Sequence, residues 1–117
     1  MAAVAFALPI LPSQEELARS MGEAVLGSGG LRARYEESRK RLGIREGAVW
    51  IQSTPIGASI IVYWETEDPQ RTLREIADSQ DQVDKKLRQV IENAAPAINW
   101  SKESPLSNEL LFEWQQR

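Results

Sequence analysis

Two residue types are missing from this 117-residue chain, cysteine and histidine. Without cysteine there is no disulfide framework and no thiolate metal site. Without histidine the commonest general base is gone, along with the usual haem ligand and most zinc sites. Ser-His-Asp and Cys-His nucleophile systems are excluded within one chain for the same reason. Strong charge is lacking too: a formal net charge of −3 gives no electrostatic reason to expect nucleic acid or an anionic membrane as partner. No apolar run reaches the roughly 20 residues that a membrane-spanning helix needs. The opening Met1 to Pro12 is apolar, but it has no basic start and is broken by Pro9 and Pro12. It therefore reads as a first strand rather than a signal sequence. The expected location is cytoplasmic.

What is present fits one domain spanning 1–117, long enough to bury a core. Residues 2–11 carry Ala3, Ala5 and Ala7 on one side of a strand and Val4, Phe6 and Leu8 on the other. Ser13 and Glu16 form a capping-box pattern ahead of a helix on Leu17, Met21, Ala24 and Val25. The glycines of 27–30 interrupt it. Helicity resumes from Leu31 to Leu42, with Gly43 as a left-handed C-terminal cap. Arginines and lysines cluster on this second piece, but interleaved glutamates make it a solvated face rather than a phosphate site.

Glu46 to Asp68 reads as two strands joined by a tight turn, Thr54-Pro55-Ile56-Gly57. A three-residue connection pairs Thr54 with Ala58, and so sets Ile51 against Ile61 and Trp50 against Val62. In that register one face carries Val49, Ile51, Tyr63 and Glu65, and the other Trp50, Gln52, Val62 and Trp64. A slip of one residue would exchange faces on one strand. Asp68-Pro69 is a helix start, the aspartate capping and the proline at the first helical position. Ser79 to Asp81 interrupts this helix and recaps another on Val83, Leu87, Val90 and Ile91. Ala97 to Trp100 reads as an extended piece. A last strand is expected over Asn108–Trp114, where Leu110, Phe112 and Trp114 alternate with Glu109, Leu111 and Glu113.

This order predicts an α+β fold, a ferredoxin-like βαββαβ unit with a four-stranded antiparallel sheet. The first strands are apolar on both faces, so helices on one side leave the other uncovered. A homodimer packing sheet on sheet covers it; a missing partner or second domain is the rival explanation.

Arg34 to Ile44, Val49 to Gln52, Val62 to Pro69, Asp84 and Pro105 to Trp114 together resemble small proteins of the dimeric α/β-barrel superfamily. Within it, the chain is similar to the antibiotic-biosynthesis-monooxygenase-like group and to bacterial and metagenomic members of about this length. The resemblance implies a dimeric α/β barrel. The sequence departs from the similar proteins after Asp84, where Lys85, Lys86 and Leu87 stand in place of aromatic residues.

Two functional expectations follow. Trp50, Gln52 and Trp64 combine flat apolar surface with an amide, the lining of a pocket for a small apolar or aromatic molecule between the sheets. Alternatively, as the resemblance implies, the chain is a cofactor-independent monooxygenase or cyclase acting on an aromatic, polyketide-like substrate. Tyr63 and Glu65 are then the candidate catalytic residues, with Asp78, Asp81 and Asp84 nearby in sequence. A structural or interaction protein with no ligand is the third reading. No cofactor is expected. The spacing of the three aspartates lacks the glycine and terminal glutamate of a calcium loop, so no metal is expected either.

Overall fold

The computed structural model describes residues 2–27, 30–95 and 109–116. It is an α+β arrangement of three strands and four α-helices: β1 (Ala2–Pro9), α1 (Glu15–Leu26), α2 (Gly30–Arg41), β2 (Ile44–Thr54), β3 (Gly57–Thr66), α3 (Pro69–Asp78) and α4 (Gln82–Ala94). The sheet is antiparallel throughout, in the order β1-β3-β2. β3 lies at its centre, paired with β1 on one edge and β2 on the other. Ala58, Ile60, Val62 and Trp64 are buried, while Ile61, Tyr63 and Glu65 between them are only half-buried.

The turn is tighter than the sequence implied. Thr54 pairs with Gly57, Ile51 with Ile60 and Trp50 with Ile61, so only Pro55 and Ile56 connect the strands. Thr54 holds the turn through its hydroxyl, which accepts from Ile56 N at 3.3 Å and donates to Gly57 O at 2.8 Å. The extra residue of the hairpin sits instead at the far end of β2, where the register shifts between Ile44 and Glu46. One residue of difference reassigns a whole strand. Val49 and Ile51 share a face with Val62 and Trp64; Trp50 and Gln52 share the opposite face with Ile61, Tyr63 and Glu65.

The helices take their starts from short polar signals. Asp68 caps α3, accepting from Arg71 N at 3.1 Å, and Asp81 caps α4, accepting from Val83 N at 2.9 Å. Gly43 leaves α2 with φ 76°, a conformation that costs glycine nothing. The expected Ser13–Glu16 box does not form. Pro12 begins a 3-10 turn over Pro12–Gln14, which draws Ser13 into helical geometry before α1 opens without a side-chain cap.

The inner sheet face (Val4, Leu8, Ile60, Val62) packs with Leu73 and Ile76 of α3 and with Ala94 at the end of α4. Leu11 N donates to Ala94 O at 2.9 Å and Ile10 N to Ala58 O at 2.9 Å, tying the exit of β1 to both layers. The expected closing strand differs from the structure. Asn108 and the Ala97–Trp100 piece lie outside the described residues, and 109–116 form no strand. Leu110, Leu111, Phe112 and Trp114 there are 72–86% exposed. Alternation records that a segment has two faces; it supplies no neighbouring backbone to pair with.

Candidate functional site

Between the inner face of the sheet and the helices lies a cavity of about 370 Å³. Phe6, Gly47, Val62 and Trp64 form its sheet side; Met21 and Val25 of α1, Tyr35 and Arg39 of α2, and Leu87 and Ile91 of α4 form its helix side. It borders β2, where inward-alternating Val49 remains 47% exposed because the helices do not close over that strand. Such a volume is within the range of roughly 300–1,000 Å³ typical of small-molecule sites.

Trp64 sets the shape of the floor. Its indole meets Phe6 edge to face, with centroids 5.7 Å apart and planes at 76°. It lies against β2 at the one residue that allows this. A Cβ on Gly47 would come within 2.7 Å of Trp64 Cδ1 and 3.0 Å of Tyr63 O. Glycine at 47 is therefore a requirement of the tryptophan's position, not of backbone twist.

The polar end of the cavity is built on Asp84, which is 1% exposed. Its Oδ1 accepts from Ser38 Oγ in a short bond and from Arg39 Nη2 at 3.1 Å. Its Oδ2 accepts from Ser79 Oγ at 2.6 Å and Arg41 Nη2 at 2.7 Å. Burial alone pushes this carboxyl upward, but the two hydroxyls and two guanidinium groups outweigh burial and hold it below its ordinary value. Asp84 is thus ionised, with both oxygens engaged, and unsuited to take a proton. Its work is to join α2, the α3–α4 connection and α4. Arg88 strengthens that junction by donating to Ile76 O in a short bond and to Ser79 O at 2.9 Å.

Arg39 connects this network to the cavity. Its guanidinium carbon stands 4.8 Å from the Tyr35 ring centroid and 6.0 Å from that of Trp64. Its buried Nε has no hydrogen-bond partner among the described residues.

The residues picked out from sequence are divided by the sheet. Trp64 and Trp50 both border the cavity, but Trp64 belongs to the inner face, whereas Trp50 alternates outward and is 52% exposed. Gln52 is exposed on the outer face and does not line the cavity. Tyr63 and Glu65 do meet, the phenol donating to Glu65 Oε1 at 2.6 Å, also on the outer face. That bond, with some burial and the charges of Glu65 and Glu46, raises the Tyr63 pKa and keeps the phenol protonated. Asp78, Asp81 and Asp84 do not form a common site. Asp81 caps α4, Asp84 is enclosed by arginines and serines, and no group of three or more carboxylates among the described residues could hold a metal ion. Arg39 and Gly47 were not singled out for the cavity. In sequence Arg39 is one of several cations on a helix, and only the fold brings it to a carboxylate 45 positions away.

No protein-family model, curated protein or solved structure matches the chain. Among the described residues no helix is long and apolar enough to cross a membrane.

Proposed function

We propose that this protein binds a small apolar or aromatic molecule in the cavity between its sheet and helices, as a homodimer of the dimeric α/β-barrel kind. The observation that carries the reading is the cavity itself: largely apolar walls, a fixed tryptophan floor and a few charged groups, Arg39 and Asp84 among them. Mostly apolar pockets with few orienting polar groups are the usual form of ligand sites. The outer face supports the dimer. Ala3, Ala5, Ala7 and Trp50 are exposed there beside half-buried Ile61 and Tyr63, a surface whose burial against a second copy is favourable. The fourth strand of such a barrel would come from the C-terminal segment with Leu110, Phe112 and Trp114.

The enzymatic alternative is less favoured by this geometry. Its acid–base pair, Tyr63 and Glu65, occupies the face away from the cavity, and the carboxylate nearest the cavity is saturated with donors.

Gly22 allows a clean test, because it lines the cavity and an added Cβ there meets nothing within 4 Å. Gly22→Leu should fill the space while improving helix propensity. Thermal shifts with a panel of neutral and acidic aromatic compounds should show stabilisation of the wild type, about 2.7 kcal/mol at a hundredfold excess over Kd, and none in Gly22→Leu. Equal shifts in both proteins would place binding elsewhere. Absence of any shift would favour the structural or interaction role. Sedimentation of the wild type against Trp50→Glu tests the dimer, with the variant expected to be monomeric.

A further inference from the structure

The charges on the cavity wall do not balance. Among the described residues, three arginines line it (Arg19, Arg39 and Arg88) against one carboxylate, Asp84. Arg19 is neutralised on its own helix by Glu15 at 3.5 Å and Glu16 at 2.6 Å. Arg88 is bound to two backbone carbonyls, Ile76 O and Ser79 O, which carry no net charge. Arg39 shares Asp84 with Arg41, which lies at 2.7 Å from the same carboxylate. Arg41 has a second acidic neighbour, Asp81 at 3.8 Å, on the side away from the cavity lining. The polar end is therefore electropositive beside largely apolar walls, where a charge acts more strongly than in bulk water.

The donors are as uneven as the charges. Arg39 Nη2 is occupied by Ser38 Oγ at 3.0 Å and Asp84 Oδ1 at 3.1 Å, while its buried Nε finds no acceptor among the described residues. That Nε is enclosed, so what the cavity offers an incoming anion is the charge of the guanidinium as a whole. Tyr35 and Trp64 lie 4.8 and 6.0 Å from the guanidinium carbon, so the cation is already flanked by aromatic rings before anything binds.

We infer that the ligand of this cavity is an apolar acid: a flat or hydrophobic body lying on Val62 and Trp64, with an anionic oxygen, carboxylate or enolate, drawn to the Arg39 guanidinium. This rests on the binding function proposed above and adds the class of ligand. Arg39 is a binding residue in this account, and Asp84 a positioning residue that fixes the guanidinium through Nη2.

The test compares two probes of nearly equal shape, 2-naphthoate and 2-methylnaphthalene, titrated calorimetrically against the wild-type protein. The anion should bind about tenfold or more tightly than the hydrocarbon, as expected for one charge-assisted contact. Arg39→Met removes the charge while keeping an apolar side chain of similar length, and should lose most of that advantage while still binding the hydrocarbon. Circular dichroism establishes that the variant is folded; if it is not, the probe comparison on the wild type decides alone. Equal affinities for the two probes would overturn the inference and leave the apolar site standing. Failure of both to bind, the naphthoate at millimolar concentration and the hydrocarbon up to its solubility limit, would remove the site and the inference together.

Discussion

The two faces of the sheet are made from the same strands, one residue out of step, and they have different chemistry. The inner face carries Val4, Ile60, Val62 and Trp64, all buried, and looks onto a cavity with an oriented cation. The outer face carries small alanines, an exposed tryptophan and the Tyr63–Glu65 pair, with Glu46 opposite Glu65. Apolar content is not what separates them, because isoleucine and an aromatic residue occur on both. The difference lies in what stands opposite. Helices cover the inner face and enclose space; among the described residues nothing comparable covers the outer one. Position on a strand decides whether a tryptophan becomes a cavity floor or a surface available to a second molecule.

Substitutions can break this contrast in a graded way. The largest loss is expected for Asp84→Ala, which strands two guanidinium groups and two hydroxyls; about 3–5 kcal/mol should disappear in chemical denaturation. The same residue sets a pH dependence. Its folded pKa is depressed, so its stabilisation is present above the unfolded value of about 3.9 and is lost as pH falls through the folded one. Acid titration of wild type against Asp84→Asn should isolate that contribution.

Next come neighbours on opposite faces. Ile60→Ala, at a residue 1% exposed, should cost about 2–5 kcal/mol at any protein concentration. Ile61→Ala should cost less in dilute protein and more as concentration rises, if the outer face docks a second copy. A concentration-independent Ile61 effect would count against docking there. Gly47→Ala should cost about 1–3 kcal/mol, since its Cβ must displace the Trp64 indole or the β3 backbone. A shift in Trp64 side-chain resonances in nuclear magnetic resonance spectra would locate the strain in the cavity floor. The smallest effect belongs to Tyr63→Phe. It should leave ligand binding unchanged, because the phenol lies on the outer face. Its raised pKa gives stability that is present below the unfolded value of about 10 and is lost above it as the phenolate forms. The variant should therefore be less sensitive to high pH.

Local signals in the sequence were readable where the chemistry is local. Asp68, Asp81 and Gly43 each act within a few residues, and each stands where its residue type predicts. Register was not readable in this way. A two-residue turn and a three-residue turn with a bulge both suit Thr54-Pro55-Ile56-Gly57, and choosing between them moves Trp50 through the sheet. The cavity's polar end was hidden for another reason. Asp84 resembles a first-turn helix residue, and Ser38, Arg39 and Arg41 an ordinary solvated helix end, until α2 and α4 pack. Leu110, Phe112 and Trp114 keep a genuine two-sided pattern, yet residues 109–116 form no strand.

The helices are not anchored alike. α3 buries Thr72, Leu73 and Ile76, and α4 buries Val83, Asp84 and Ala94 and carries the ion-pair junction; α1 buries only Ala18. Free energies of local opening follow buried contacts, so amide hydrogens in α1 should exchange with solvent well before those of α3 and α4. α1 also supplies Met21 and Val25 to the cavity wall. On the proposed binding function, a molecule would enter by the loosening of this lightly held helix while the Asp84 junction stays closed behind it. The part that would admit a guest is then separate from the part that keeps the fold.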